Sequence, residues 1–344
     1  MMRLLVTGGC GFIGSNFIHH ALREHDGWEV INLDRLTYAG NPANLRDIEG
    51  DERYRFVRGD IADRELVDGL FRDGLDAVVN FAAETHVDRS ILDPSPFIET
   101  NVRGTQVLLE AARNHDVKRF VHISTDEVYG SITDGRFTED SPLRPNSPYA
   151  ASKAAADLLC RAYYISYGVP VIVTRSSNNY GPYQFPEKLI PLMIRNALAG
   201  MDLPLYGEGA QVRDWLYVED NCRGIEVVLM KGRPGEIYNI GGGSERRNIE
   251  VVEMICRALG ERLNRDPEDF ARLIKHIRDP RGAAHDFRYA LDCSKVRELG
   301  WMPVVSFEEG LARTVDWYLA NQDWVQGVIT GEYLEYCRRV YGKG

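Results

Sequence analysis

Along the first half of the chain, short runs of aliphatic and β-branched residues alternate with longer stretches whose apolar positions recur every three or four residues. Residues 4–7, 29–34, 54–59, 77–81, 119–124 and 169–175 follow the first pattern and are predicted as strands. Residues 12–24, 64–72 and 101–115 follow the second and are predicted as helices. Strand, helix and strand in succession imply parallel pairing through right-handed crossovers, hence an α/β fold with a doubly wound sheet. The run AVVNF at 77–81 is almost wholly apolar, as a strand is when helices cover both faces of its sheet.

Past residue 176 the pattern changes. Residues 178–191 are rich in Asn, Gly, Pro and Tyr and read as an ordered loop, followed by a helix at 192–198. Strands at 215–218 and 236–240 and amphipathic helices at 248–259 and 307–319 complete the pattern. No repeat, low-complexity tract or flexible linker interrupts it. The expected organisation is a parallel sheet domain over 1–176, rejoined by segments near 213–243, and a smaller α/β domain over 177–344, with a cleft between them.

Composition narrows the functional classes. The 344 residues carry a formal charge of -10, which argues against nucleic-acid binding by phosphate neutralisation. Six scattered cysteines (Cys10, Cys160, Cys222, Cys256, Cys293, Cys337) have neither zinc-site nor disulfide-framework spacing and read as reduced structural thiols. No apolar run is long enough to span a bilayer and no leader pattern is present, so a cytoplasmic protein without membrane or metal partners is expected.

The candidate chemistry begins at VTGGCGFIGSN, where Gly9, Gly11 and Gly14 satisfy G-x-G-x-x-G, and Gly8, Gly11 and Gly14 satisfy G-x-x-G-x-x-G. Placed between a strand and a helix, such glycines allow a tight turn and close approach to a pyrophosphate at the helix N-terminus, although glycine-rich turns also arise for structural reasons. Asp34, 20 residues after Gly14, ends the second strand where a carboxylate accepts from ribose hydroxyls and repels a 2′-phosphate, favouring NAD; the adjacent Arg35 weakens that preference. Asp60 and Ile61 either flank the adenine or form a surface turn.

Tyr149 and Lys153 are four residues apart and share a face if that segment is helical. A nearby ammonium would lower the Tyr pKa from about 10 and make the phenol usable as a base. Just upstream, RFVHISTDEVYG runs from an apolar strand into Ser124, Thr125, Asp126 and Glu127, either a solvated turn or a pair of catalytic carboxylates.

With TGGCGFIG, FAAETHVDRS, STDEVYG, NNYGPYQFPEKLIP, LPLYGEG and RDWLYVED, the sequence resembles the extended short-chain dehydrogenases/reductases that act on nucleotide sugars, specifically their 4,6-dehydratase branch, over nearly its whole length. The resemblance implies a Rossmann sheet, a tightly bound NAD regenerated each turnover, dTDP-glucose as substrate and a homodimer; the apolar face of the 101–115 helix is either its interface or only core. It implies that Tyr149, assisted by Lys153 and positioned by Thr125, is the base at C4, that Glu127 is the base at C5, and that Asp126 is the acid at C6. The implied cofactor residues are Gly8, Gly11, Phe12, Ile13, Gly14, Asp34, Arg35, Leu36, Thr37, Asp60, Ile61, Ala82, Ala83, Thr100, Ser124 and Asn179, together with Tyr149 and Lys153. Ala82 and Ala83 could equally serve packing. His86, Thr125, Asn178, Lys188, Leu189, Pro204, Leu205, Tyr206, Arg213, Asn248, Arg281 and His285 are implied substrate contacts. Arg213 has an alternative as the ion-pair partner of Asp214, Glu219 or Asp220.

The stretch RDPRGAAHDFRYA departs from the family pattern by about two additional residues and a transposed Arg and Pro, which leaves open the role of Arg281 and the choice of thymine or uracil base. Sugar epimerases and decarboxylases of the group share Tyr149 and Lys153 but have no use for the Asp-Glu pair. A non-catalytic dinucleotide sensor would have no use for Tyr149 and Lys153 together.

Overall fold

The computed structural model describes residues 2–331 and 333–335; Cys337 and the end of the second expected domain lie outside the described residues. Twelve strands are present among the described residues: β1 (Met2–Thr7), β2 (Trp28–Asp34), β3 (Tyr54–Arg58), β4 (Ala77–Asn80), β5 (Arg119–Thr125), β6 (Val171–Ser176), β7 (Asn178–Tyr180), β8 (Leu203–Tyr206), β9 (Val212–Tyr217), β10 (Ile237–Ile240), β11 (Glu245–Arg247) and β12 (Ile274–Ile277). Seven of them form one parallel sheet in the order β10-β6-β5-β4-β1-β2-β3. This is the doubly wound arrangement expected from the alternating pattern. The order reverses between β4, β1 and β2, and the crevice beyond the C-terminal ends of strands at such a reversal is where these sheets bind ligands.

Alternate residues of each strand feed different cores. Leu4, Val6, Val79, Val121 and Ile172 pack with Phe17, Ile18 and Ala21 of the helix Phe12–Glu24 and with Ile225 and Val228 of the helix Val218–Lys231. Leu5, Ile31, Leu33, Val78 and Phe120 face the other way, against Val67, Phe71, Leu108 and Cys160 from the helices Arg64–Arg72, Thr105–Asn114 and Pro148–Tyr167. A third core joins β8 and β9 to the helices Leu189–Leu198, Asn248–Leu263 and Phe307–Ala320.

Several elements differ from the pattern-based expectation. Within the presumed loop 178–191, Asn178–Tyr180 is a strand paired with β9, and the following helix starts at Leu189. Pro191 is accommodated because it falls in the first helical turn, where amides lack intrahelical acceptors. β9 begins at Val212, and Val218 opens a helix instead of ending the strand. The predicted helix at 101–115 is preceded by π-helical turns over Ile98–Gly104 before becoming α-helical at Thr105. No helix among the described residues is long and apolar enough to cross a membrane.

Candidate active site

β1 ends at Thr7 and turns through Gly8, whose φ of +68 lies in the left-handed region. A Cβ on Gly8 would come within 2.7 Å of the Ala82 backbone, and one on Gly14 within 2.4 Å of the Gly8 carbonyl oxygen. Glycine is therefore what lets the turn, the first helix and the end of β4 converge. That helix has Gly11 at its N-cap and no side-chain cap, which leaves its first amides available at the crevice. Asp34 Oδ2 accepts from the Cys10 amide at 2.9 Å and Oδ1 from the Leu36 amide at 2.8 Å, so the carboxylate shapes both loops that border the crevice. Burial raises its pKa against the pull of those amides. Arg35 is turned to Asp60 at 3.0 Å.

A single cleft of about 290 Å³ runs from this turn to β5. Its lining contains Gly8, Gly11, Phe12, Ile13, Gly14, Asp34, Arg35, Thr37, Asp60, Ile61, Ala82, Ala83, Thr100, Ser124, Tyr149, Lys153 and Asn179, which is every expected cofactor residue except Leu36. Leu36 contributes its backbone amide to Asp34. Ala82 both lines the cleft and meets Gly8, so packing and site roles coincide there. Thr125, Asp126, Glu127, Asn178 and Lys188 also line it, together with Gln184, Phe185 and Glu187, which lie within the quoted NNYGPYQFPEKLIP stretch but were not among the expected site residues.

The carboxylates stand at the cleft because β5 breaks into a single 3-10 turn, Asp126–Tyr129, capped by Thr125. The Thr125 hydroxyl accepts from the Glu127 amide at 3.3 Å and donates to Asp126 Oδ1 at 3.2 Å. Asp126 is 2% exposed and its Oδ2 has no hydrogen-bond partner. Burial, then Glu127 and Asp214, push its pKa well above the carboxylate range. Glu127 is half-buried; burial raises its pKa, while Lys188, Arg281 and Arg213 pull it back. Both acids are therefore raised, Asp126 well above its ordinary range and Glu127 less, because the surrounding cations offset part of the cost of burying Glu127.

Ser147 caps the helix Pro148–Tyr167, which carries Tyr149 and Lys153 into the cleft. The Lys153 ammonium donates to the Ile123 carbonyl at 2.7 Å and lies 3.5 Å from His122 Nε2. Burial pulls the Lys153 pKa down to about 8, opposed by Asp157. Burial and the charges of Glu127 and Asp126 instead push the Tyr149 phenol up, partly offset by its hydrogen bond to Thr125. The expectation that Lys153 lowers the Tyr149 pKa is corrected accordingly. The ammonium is anchored to β5 and faces His122 and Asp157, so the neighbouring carboxylates govern the phenol.

The expected substrate contacts divide into two groups. Thr125, Asn178 and Lys188 line the cleft, with Lys188 also donating to the Thr85 carbonyl at 3.1 Å. His86, Leu189, Pro204, Leu205, Tyr206, Arg213, Asn248, Arg281 and His285 are outside its lining. Leu205 belongs to the third core, Pro204 to β8, and Leu189 and Asn248 open helices. His86 is buried just before the helix Val87–Leu92, and desolvation pulls it down to about 4. Arg213 donates to the carbonyls of Val212, Asp286 and Phe287 and lies over the Tyr289 ring at 4.5 Å. The carboxylates proposed as its ion-pair partners are engaged elsewhere: Asp220 with Arg223, Glu219 with Arg313, and Asp214 with the Ser244 amide. Arg281, in the altered loop, pairs with Asp88 at 2.5 Å, and Tyr206 donates to the same carboxylate at 3.2 Å. His285 lies 2.5 Å from Asp279.

A parallel sheet with a glycine-walled crevice at its reversal point, opening onto paired acids and a Tyr-Lys helix, defines a dinucleotide-binding α/β enzyme. The family model for GDP-mannose 4,6 dehydratase matches residues 5–314, and the chain belongs to that family. It is 56% identical to a dTDP-glucose 4,6-dehydratase of Xanthomonas campestris pv. campestris strain B100, covering 97% of both chains. It is 51% identical to a dTDP-glucose 4,6-dehydratase of Escherichia coli, over 96% of this chain and 98% of that one. Among solved structures, the Streptomyces venezuelae dTDP-glucose 4,6-dehydratase with NAD bound superposes with a TM-score of 0.90 at 55% identity, over 95% of this chain and 100% of that one.

Proposed function

We propose that this chain is an NAD-dependent dTDP-glucose 4,6-dehydratase, which removes water across C5 and C6 of the sugar and forms dTDP-4-keto-6-deoxyglucose. The observation that carries this reading is the buried Asp126, whose Oδ2 has no hydrogen-bond partner, beside Glu127 in the same cleft as Tyr149 and Lys153. An epimerase or decarboxylase built on the same Tyr and Lys has no step that requires an acid at C6 and a base at C5.

The crevice fits the cofactor. The positions where a Cβ would strike backbone lie at its floor, and the uncapped helix N-terminus offers amides to a pyrophosphate. Gly8, Gly11, Phe12, Ile13 and Gly14 would hold the phosphates, Asp34 would fix the adenosine ribose, and Ser124, Lys153 and Asn179 would border the nicotinamide. When bound, NAD supplies a cationic ring that takes hydride from C4 and returns it to C6.

The protein's own groups move the protons. Tyr149, hydrogen-bonded to Thr125, would accept the proton of the C4 hydroxyl in its phenolate form, which the cationic nicotinamide of bound NAD would favour against the burial that raises the phenol. The C4 ketone acidifies C5, and Glu127 removes that proton and gives one back to C5 when hydride adds at C6. Asp126, protonated because it is buried beside another acid, donates to the C6 hydroxyl as it departs as water. Lys188, Arg213 and Arg281, brought from three separate segments to within electrostatic reach of Glu127, offer positive charge to a diphosphate.

We further propose a cytoplasmic homodimer. Cytoplasmic placement is supported by five buried free thiols among the described residues. Association is supported by Ile98, Leu158 and Ile165, each more than half exposed on neighbouring helical segments.

The test is incubation with dTDP-glucose and, separately, UDP-glucose, without added NAD, followed by the alkali-induced absorbance of a 4-keto sugar. Product from dTDP-glucose is expected, and product from neither sugar would overturn the reading. Glu127→Gln should lower turnover by about 10²- to 10⁴-fold and abolish exchange of the C5 proton with deuterated solvent.

A further inference from the structure

We propose that Tyr38 and Glu187, with Arg89, form a latch that closes the cofactor cleft and retains the dinucleotide through each turnover. The inference rests on the cofactor reading above. Thr37, Ala39 and Gly40 line one side of the cleft, and Gln184, Phe185, Glu187 and Lys188 the other. The two sides are tied by Tyr38, whose hydroxyl donates to Glu187 Oε1 at 2.8 Å. Arg89 Nε donates to Glu187 Oε2 at 3.1 Å, and its guanidinium lies 3.7 Å above the centre of the Tyr38 ring. Phe185 meets that ring edge-on at 5.5 Å.

Tyr38 and Arg89 come from separate segments and converge on the Glu187 carboxylate of a third, a residue that is 4% exposed. A buried carboxylate that loses its phenol and its guanidinium is left desolvated and unpaired, so the arrangement favours being wholly closed or wholly open. The base of the loop is fixed independently. Asp34 holds the Leu36 amide, Asn44 Nδ2 donates to the Cys10 carbonyl, and Trp324 Nε1 donates to Asn44 Oδ1. Opening at Tyr38 would therefore swing the loop tip while leaving the glycine turn in place.

The reaction gives this latch a purpose. Hydride leaves the sugar and must return to the same molecule, so cofactor lost midway would strand the ketone. Glu187 also immediately precedes Lys188, which lines the sugar end of the cleft, so the segment that closes over the cofactor is continuous with one that meets substrate.

The test compares wild type, Tyr38→Phe and Glu187→Gln for bound NAD after gel filtration and for the rate of NAD release. Tyr38→Phe removes only the hydroxyl and guards against a Glu187 variant that fails to fold. Wild type should retain NAD, while both variants should lose most of it. With added NAD they should recover near-wild-type kcat with KM for NAD raised about 10-fold, the equivalent of one buried hydrogen bond to a charged group. Retention of NAD by both variants, or a fall in kcat at saturating NAD with unchanged NAD content, would overturn the latch. Wild type that binds no NAD would overturn the cofactor reading and the latch with it.

Discussion

Asp126 is a carboxylate whose burial works against stability in order to keep a proton. Its folded pKa is raised, whereas in the unfolded chain it ionises near 4. Between those two values the unfolded state binds fewer protons, so this group's contribution to stability falls as pH rises through the window. Asp126→Asn should therefore melt no lower than wild type near neutral pH, and any gain should vanish below about pH 4, where Asp is protonated in both states. The same variant should lose about 10²- to 10⁴-fold in turnover, measured as 4-keto sugar formed. Loss of both activity and melting temperature at neutral pH would show that Asp126 is a structural acid. At this scale the sequence was informative where chemistry is carried by neighbours in the chain, as in Ser124 to Glu127 or Tyr149 and Lys153. It was silent where partners are distant: nothing local to Tyr38 announces Glu187, and nothing in Y-x-x-x-K reveals that Lys153 is anchored to the Ile123 carbonyl.

Among the elements, the turn from β1 into the first helix has the least steric tolerance. Gly14→Ala would place a methyl 2.4 Å from the Gly8 carbonyl oxygen and 2.9 Å from Gly9 Cα, both backbone atoms that cannot rotate away. Overpacking of this kind costs about 1–3 kcal/mol, and here it would also displace the amides offered to the cofactor. Reduced melting temperature and reduced NAD content are expected together. Gly69→Ala is the control: it lies inside the helix Arg64–Arg72 with nothing within 4 Å of the added methyl, and should stabilise by about 0.4–1 kcal/mol. The central parallel strands β4, β5 and β6 were legible because their apolar runs are buried on both faces. β7 was not, since Asn178–Tyr180 has the composition of a loop and becomes a strand only through pairing with Trp215–Tyr217. β8 and β12 pair with each other across some seventy residues of sequence, beyond the reach of local periodicity.

For the molecule as a whole, Leu158 and Ile165 lie seven residues apart on one face of the helix Pro148–Tyr167 and expose 57% and 64% of their surface. Ile165→Glu should halve the mass measured by sedimentation if this face joins two copies, and unchanged mass would remove it as the interface. Such a surface cannot be told from a core stripe in the sequence, because both are apolar at helical spacing. The return of segments near 213–243 to the first sheet was expected, and β10, at Ile237–Ile240, does lie against β6 after the chain has built β7, β8 and β9, but nothing local in the sequence gives its place at that edge. While the protein is being synthesised, the edge of β6, buried on both faces and made of Val171, Ile172 and Val173, therefore waits unpaired for about sixty residues, several seconds at roughly 5–20 residues per second. The nascent sheet is thus open to edge pairing with its copies, and a chain terminated after β6 should aggregate instead of folding, as light scattering would show.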